Sequence, residues 1–226
     1  MRRTGSSSLK ITSSVFFATL QMGAWQAPPA PKVGPDAVWN APQDFIRKVH
    51  EACRDVSFPA LGACFVKEMQ RLGASPEAAA FADRLHGEAY LSDLQGTGNV
   101  EVAYVYYPFR ANENEGCVLV NGNPALIDVD ALRSLPQASM QSDGVYRSLL
   151  VEYPNLSIWP GDRGGKADPV VVKTAPDGGQ RFLVHYRLRD GCHACARVGI
   201  ATFEFDFDSK GQFSGAKYVE TRREPS

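Results

Sequence analysis

Residues 181–208 read RFLVHYRLRDGCHACARVGIATFEFDFD, and this stretch decides the fold. On each side of the Cys-His-Ala-Cys motif, apolar and polar side chains alternate with a period of two. This period is typical of a strand that buries one of its faces. The stretch therefore predicts two long antiparallel strands that are joined by a turn at His193-Ala194.

The position of this turn determines which residues face each other across the hairpin. The pairs on one face are all apolar or small: Phe182 with Phe205, Val184 with Phe203, Tyr186 with Ala201, and Leu188 with Gly199. The pairs on the other face are Arg181 with Asp206, Leu183 with Glu204, His185 with Thr202, and Arg187 with Ile200. A shift of one residue would bring the phenylalanines of 203–207 to the arginine-rich face, so the pattern specifies the register strongly.

The same register places Cys192 opposite Cys195 at the hairpin tip. The ends of a four-residue turn lie less than about 7 Å apart, and a disulfide joins Cα atoms that are about 4.4–6.8 Å apart. We therefore predict a structural disulfide there. The alternative is a redox pair, because His193 lies between the sulfurs and because Arg189 and Arg197 would favour a thiolate. Thioredoxin-type pairs, however, lie at a helix N-terminus, whereas both flanks here are strands.

Other chemistry at this motif is less well supported by its spacing. Covalent haem attachment needs the order C-x-x-C-H, whereas His193 lies inside the pair. A zinc site would need two further ligands, for which His185 and Cys117 are the candidates. We predict no cofactor and no metal, and we keep a metal-binding accessory protein as a third alternative.

Cys53 and Cys64 are the other candidate disulfide. In one continuous helix they would be about 16 Å apart, which is too far for a bond. Pro59 and Gly62 interrupt the helical pattern and would let two helix ends fold back on each other. The alternative is two buried thiols, and we expect the remaining Cys117 to be a buried small hydrophobe or to pair between chains.

The order of the elements predicts an α+β fold, with N-terminal helices packed on a mostly antiparallel meander sheet. Residues 41–86 have helical spacing, with a third helix starting at Ser75-Pro76, and residues 98–220 are rich in strands. The predicted strands outside the hairpin are 100–109, 117–120, 125–129, 156–159, 169–175 and 212–220, and short helices are expected at 129–135 and 146–152. We predict a single domain at 41–226.

The first 27 residues are typical of an export signal. Two arginines and a lysine precede a moderately apolar stretch at 11–25. Small residues at the end of this stretch and after it offer cleavage positions, at Ala24, Ala27 and Ala30, although none of them gives a clean small-x-small pattern. Residues 28–40 contain four prolines and predict an extended leader before the fold. The alternative is a disordered extension of a cytosolic protein. We expect export to the periplasm or to the extracellular medium.

Composition excludes several classes of protein. The 24 basic and 25 acidic side chains nearly cancel, so the chain has no strong net electrostatic field. We therefore expect no nucleic-acid partner. No stretch reaches the ~18 apolar residues of a membrane helix, so we expect no stable span after removal of the signal. A hydrophobic content of 44% is ordinary for a globular protein and argues against a wholly disordered chain.

Catalytic motifs are absent from the sequence. It contains no G-x-S-x-G elbow, no dinucleotide-binding glycine motif and no P-loop. The acidic residues Glu204, Asp206 and Asp208 partly match the start of a calcium loop, but Lys210 replaces an oxygen ligand there and Asp208 opens a turn. Alternation with phenylalanine explains them as the solvated face of a half-buried strand.

A binding face is the remaining functional feature. His185, Arg187 and Arg189 share the side of the hairpin that carries no phenylalanine, and they would bind an anion if that side faces a cleft. We therefore predict an exported soluble protein that binds an unidentified protein or small ligand without catalysis. The alternative is a thiol–disulfide enzyme that uses Cys192 and Cys195.

Overall fold

The computed structural model describes residues 31–57, 59–96, 98–112, 114–163 and 170–224, and this part of the chain contains five α-helices and nine strands. The helices are α1 (Phe45–Ala52), α2 (Ala60–Arg71), α3 (Pro76–Arg84), α4 (Gln137–Gln141) and α5 (Gly144–Glu152). The strands are β1 (Tyr90–Gln95), β2 (Glu101–Tyr106), β3 (Glu115–Val120), β4 (Leu126–Asp128), β5 (Leu156–Pro160), β6 (Val171–Thr174), β7 (Gln180–Asp190), β8 (Arg197–Phe207) and β9 (Phe213–Arg223). The predicted export signal at 1–27 lies outside the described residues.

The strands form two antiparallel sheets. The first has the order β1-β2-β3-β4, and the second has the order β5-β7-β8-β9. Strand β6 also pairs with β7, at residues 180–183, whereas β5 pairs with β7 at residues 186–190. The α+β class is confirmed, and the predicted meander is divided between two sheets.

The register of the central hairpin agrees with the alternation in its sequence. All eight predicted pairs between β7 and β8 are present, from Arg181 with Asp206 to Leu188 with Gly199. A bulge after Leu188 places Arg189 opposite Arg197, just before the turn. The phenylalanine face is fully buried, and Phe205 is only 1% exposed.

The main core lies between the two sheets. The first sheet contributes one face of β2 and β3, and the second contributes the phenylalanine face of the hairpin. The buried side chains of this layer include Val102, Tyr104, Cys117, Leu119, Phe182, Val184, Tyr186, Phe203 and Phe205. Because side chains alternate along a strand, the other face of the first sheet is left for the helices.

The helical layer covers this other face, and it includes part of the proline-rich segment. Val33, Ala37 and Trp39 are buried. The backbone N–H of Trp39 donates to the Leu91 carbonyl at 2.9 Å. Buried residues therefore occur within the segment 28–40, for which the sequence predicted an extended leader. Its few apolar side chains have no helical or strand period, so sequence periodicity did not reveal their burial.

The remaining differences concern short elements. Strand β1 precedes the predicted start of the sheet at residue 98, α4 was not predicted, and the helix predicted at 129–135 is a single 3-10 turn at Leu132–Ser134. Each segment is six residues or shorter, which is too short for a clear periodic signal. None of the described helices is long and apolar enough to cross a membrane.

Candidate functional site

A cleft of about 400 Å³ lies where β5 ends and the chain turns away from β7. The first sheet supplies one wall, formed by Tyr106, Asn114 and Glu115. The segment 160–163 that follows β5 supplies the second wall. Arg187 of β7 and His193 of the hairpin tip complete the cleft.

Arg163 lies at the floor of the cleft and belongs to a buried ion pair. The Arg163 side chain is fully buried, and its Nη2 atom donates to Oδ1 of Asp130 at 2.9 Å. The other oxygen of this carboxylate, Oδ2, accepts from the backbone N–H of Cys117 at 2.8 Å. Burial alone would lower the pKa of Arg163, but the charge and hydrogen bonds of Asp130 outweigh it and raise that pKa. Arg163 therefore carries a fixed positive charge beneath the cleft.

Two other buried groups lie against this pair. The guanidinium carbon of Arg163 is 5.9 Å from the centre of the Tyr186 ring, and the Tyr186 hydroxyl donates to the Val129 carbonyl. Burial raises the pKa of the Cys117 thiol far above its usual range, although Arg163 acts in the opposite direction. Cys117 is therefore a buried, protonated thiol and a poor nucleophile, as its apolar surroundings in the sequence suggested.

A second ion pair lies at the side of the cleft. The chain turns after Pro160, and Asp162 reaches the Arg187 guanidinium, with an Nη2–Oδ2 distance of 3.0 Å. The Arg187 side chain is 16% exposed, so this pair is partly shielded from water. Arginine and carboxylate groups are thus matched at both the floor and the side of the cleft.

The hairpin tip is closed by the predicted disulfide between Cys192 and Cys195, whose Cα atoms are 5.0 Å apart. The Cys195 N–H donates to the Cys192 carbonyl at 3.0 Å, which defines a four-residue turn. Within this turn, His193 packs edge-on against Trp159, with 5.4 Å between the ring centres. Arg189 donates to the Cys195 carbonyl at 2.6 Å, so the tip is held on both sides.

The predicted binding face is only partly brought together at the cleft. Arg187 lines it, whereas the His185 ring is hydrogen-bonded to Thr202, with Nδ1 and Oγ1 3.0 Å apart. Arg189 supports the hairpin tip instead of facing the cleft. The three side chains of the predicted face thus have different partners: Thr202 for His185, Asp162 for Arg187 and the Cys195 carbonyl for Arg189.

The second predicted disulfide, between Cys53 and Cys64, is also present. Its Cα atoms are 6.0 Å apart, and it joins the residue after α1 to the second turn of α2. The break between the two helices brings the cysteines together, as Pro59 indicated, whereas Gly62 lies inside α2 and does not interrupt it. This bond lies in the helical layer, where Cys53 is buried.

The acidic face of β8 is engaged in ion pairs across the sheet. Lys217 of β9 contacts Glu204 at 2.7 Å and Asp206 at 2.8 Å. Asp208 instead accepts the backbone N–H groups of Lys210 and Gln212 in a turn. Within the described ranges, no group of three or more His, Cys, Asp and Glu side chains is arranged to hold a metal ion.

The chemistry of the cleft is that of hydrogen bonds and matched charges. Its described lining residues include no serine, threonine or cysteine. Comparisons of the chain with protein-family models, with curated proteins and with solved structures give no match.

Proposed function

We propose that this protein is an exported, non-enzymatic binding protein whose cleft holds a small polar ligand. The observation that carries the proposal is a cleft of about 400 Å³ whose floor includes Arg163, the buried ion-pair partner of Asp130. Small-molecule sites are usually about 300–1,000 Å³ in volume and contain a few fixed polar groups. The cleft fits this description at the lower end of the size range.

The buried pair supports a role in binding more strongly than a role in stability. Moving two charges out of water is costly, and apolar residues of the same volume often stabilise a fold at least as well. An arginine that is fixed by a carboxylate keeps its charge and its orientation, however, and this is useful to a site that must recognise a polar ligand. Arg163 meets both conditions because Asp130 holds it in place at the base of the cleft.

The side chains of the cleft favour binding over catalysis. Asp162 and Asp130 are each held by a guanidinium group, and the described lining residues supply no hydroxyl nucleophile of the serine or threonine type. Nucleophilic catalysis needs an activated group beside a base, and that arrangement is not formed by the side chains described in this cleft.

Export is supported by the two disulfides together with the sequence of the first 27 residues. Disulfides persist in oxidising compartments and are rare in the reducing cytosol. Both bonds connect positions close in sequence, with separations of 11 and 3 residues. Each bond therefore closes a short loop, one in the helical layer and one at the hairpin tip.

Amide chemical shifts of the labelled protein, recorded against a library of small polar metabolites, test the binding role. We expect one chemical class to shift the amides of Glu115, Asp162 and His193. Arg187→Ala should weaken that binding at least tenfold. Arg181→Ala is the matched control because it lies on the same face of β7 but outside the cleft, and it should leave the affinity unchanged. The proposal fails if no compound shifts these amides, or if the hits bind elsewhere.

Thiol–disulfide exchange is a second candidate function, and it is favoured by the exposure of Cys192 at the hairpin tip. The reduction potential of the Cys192–Cys195 pair decides between the two. A potential below about −300 mV is typical of a structural bond and would end the redox hypothesis, whereas a potential near −120 to −230 mV would support it. The pair lies in the turn between β7 and β8 and not in the first turn of a helix, which favours the structural outcome.

A further inference from the structure

A second cavity, of about 480 Å³, is formed by three segments that are distant in sequence. They are the start of α2, the turn that links α3 to β1 and the turn that follows β2, and we call the cavity between residues of 59–62, 86–88 and 107–110 the Phe109 pocket. Its volume lies within the range of about 300–1,000 Å³ that is usual for small-molecule sites. It shares no described lining residue with the polar cleft and is therefore a separate site.

Two glycines form the floor of the Phe109 pocket by direct backbone contact. A Cβ atom on Gly62 would lie 2.1 Å from the His86 carbonyl oxygen, and one on Gly87 would lie 2.3 Å from the Gly62 carbonyl oxygen. Real Cβ atoms essentially never approach another heavy atom within 3.0 Å, so only glycine lets α2 meet the turn after α3 here. The floor is therefore backbone, and no side chain of these two glycines fills the space above it.

The walls of the pocket are apolar. Leu61 and Phe109 are half-buried, and the Tyr107 ring is buried. The Phe109 ring is held in place because it stacks on His50, with 5.4 Å between the ring centres, and meets Phe65 edge-on at 5.7 Å. A ligand with an apolar body would cover carbon atoms that are already in position, so little ordering of the protein would oppose binding.

The rim of the pocket carries an arginine that no acidic side chain neutralises. The Arg110 guanidinium carbon lies 3.3 Å from the centre of the Tyr107 ring, so stacking fixes the plane of the group. Arg110 is exposed, and among the described residues no carboxylate forms an ion pair with it. Its planar fork of N–H donors suits a carboxylate. In this respect Arg110 differs from Arg163 and Arg187 of the cleft, which are both in ion pairs.

Two further polar side chains, His86 and Glu88, are exposed at the rim. His86 has a φ of +57°, a left-handed conformation that is unfavourable for a residue with a Cβ atom, and its imidazole can donate an N–H to an anion. Glu88 is the only acidic residue of the described lining and would repel an anion. No described residue holds its carboxylate, however, so Glu88 can turn into water, whereas stacking holds Arg110 at the pocket.

A molecule with an apolar body and one carboxylate group matches these features. We propose that the Phe109 pocket binds a small apolar monocarboxylate, such as an aromatic acid or a short fatty acid. The apolar body packs against Leu61 and Phe109, and the carboxylate accepts two N–H groups of Arg110. A cation would be repelled by the fixed charge of Arg110, and a neutral molecule would gain nothing from it. This inference is independent of the function proposed for the polar cleft.

Three probes with the same apolar body test the charge preference: phenylacetate, phenylacetamide and phenethylamine. They are titrated into the full oxidised, isotope-labelled protein while the amide chemical shifts are recorded. We expect the acid to shift the amides of Gly62, Gly87 and Phe109 and to bind about tenfold more tightly than the amide, as for a charge-assisted hydrogen bond. The amine should bind no more tightly than the amide.

Hexanoate and hexanamide repeat the comparison with an aliphatic body. The proposal is wrong if neither acid binds, if acid and amide bind with equal affinity in both series, or if the shifts are confined to other parts of the chain. The amides of the polar cleft are observed in the same spectra, so the result at each of the two sites is read separately.

The Arg110→Gln variant locates the carboxylate. It should weaken binding of the acid about tenfold and leave the affinity for the amide unchanged. Arg133→Gln is the matched control because Arg133 is an exposed arginine outside the pocket, and it should change neither affinity. Glu88→Gln should tighten binding of the acid because it removes a like charge. An equal loss for acid and amide in Arg110→Gln, or weaker acid binding in Glu88→Gln, would contradict the assignment.

Discussion

Replacing Asp130 by alanine removes the carboxylate that the buried Arg163 side chain contacts. The structure sets the size of the effect, because the Arg163 side chain is 0% exposed and Asp130 is only 11% exposed. Two hydrogen bonds from Arg163, at 2.9 and 3.3 Å, are lost together with the one from the Cys117 N–H. Breaking a buried pair by removing one member costs about 3–5 kcal/mol. We expect the free energy of unfolding of Asp130→Ala to fall by this amount.

Urea unfolding at pH 7, followed by tryptophan fluorescence, measures this change. Asp206→Ala is the matched control because Asp206 pairs with Lys217, whose side chain is 54% exposed. Its loss should be below about 1 kcal/mol, as for other surface ion pairs. The combined change Asp130→Leu and Arg163→Met should be more stable than Asp130→Ala alone, because no buried charge remains. A loss in Asp130→Ala no larger than that in Asp206→Ala would refute the reasoning.

Three further predictions concern the core, the hairpin tip and pH. Phe205→Ala should lower the free energy of unfolding by about 3–5 kcal/mol because this ring lies in the core between the two sheets. A free energy of unfolding equal to that of the wild type would contradict the register. The Cys192→Ser, Cys195→Ser variant should have a lower Tm with unchanged far-ultraviolet circular dichroism, whereas complete loss of secondary structure would contradict a local clip. Burial raises the pKa of Tyr90 and Tyr107 from 10.0 to about 12, so both phenols bind protons more tightly in the folded state. The stabilisation from these two phenols should therefore be fully present below pH 10 and should be lost as the pH rises from 10 to about 12. Urea unfolding midpoints at pH 8 and 11.5 measure this loss, and Tyr90→Phe should make it smaller. Equal midpoints at the two pH values would contradict the prediction.

The central hairpin was predictable because its information is local. Apolar and polar residues alternate over both strands, so one register buries every phenylalanine and the others do not. The contact between Cys192 and Cys195 follows from that register without any knowledge of the rest of the fold. The break at Pro59 likewise indicated how Cys53 and Cys64 come together.

The cleft was not predictable because its parts come from distant segments with no periodic pattern. Asp130 and Arg163 are 33 residues apart and lie in loops that follow β4 and β5. The stretches of sequence around Glu115 and Arg163 are both polar and contain glycine. Neither reveals that an arginine in a glycine-rich stretch is buried, because its burial depends on a carboxylate that only the folded chain supplies.

The proposed export requires that the chain folds in an oxidising compartment and that two local disulfides form there. Alkylation of the exported, denatured protein without reductant, followed by intact-mass and peptide analysis, tests this claim directly. We expect one modified sulfhydryl, at Cys117, and two linked peptide pairs, Cys53 with Cys64 and Cys192 with Cys195. Modification of all five cysteines, or an N-terminal signal that is still attached, would contradict the proposed export.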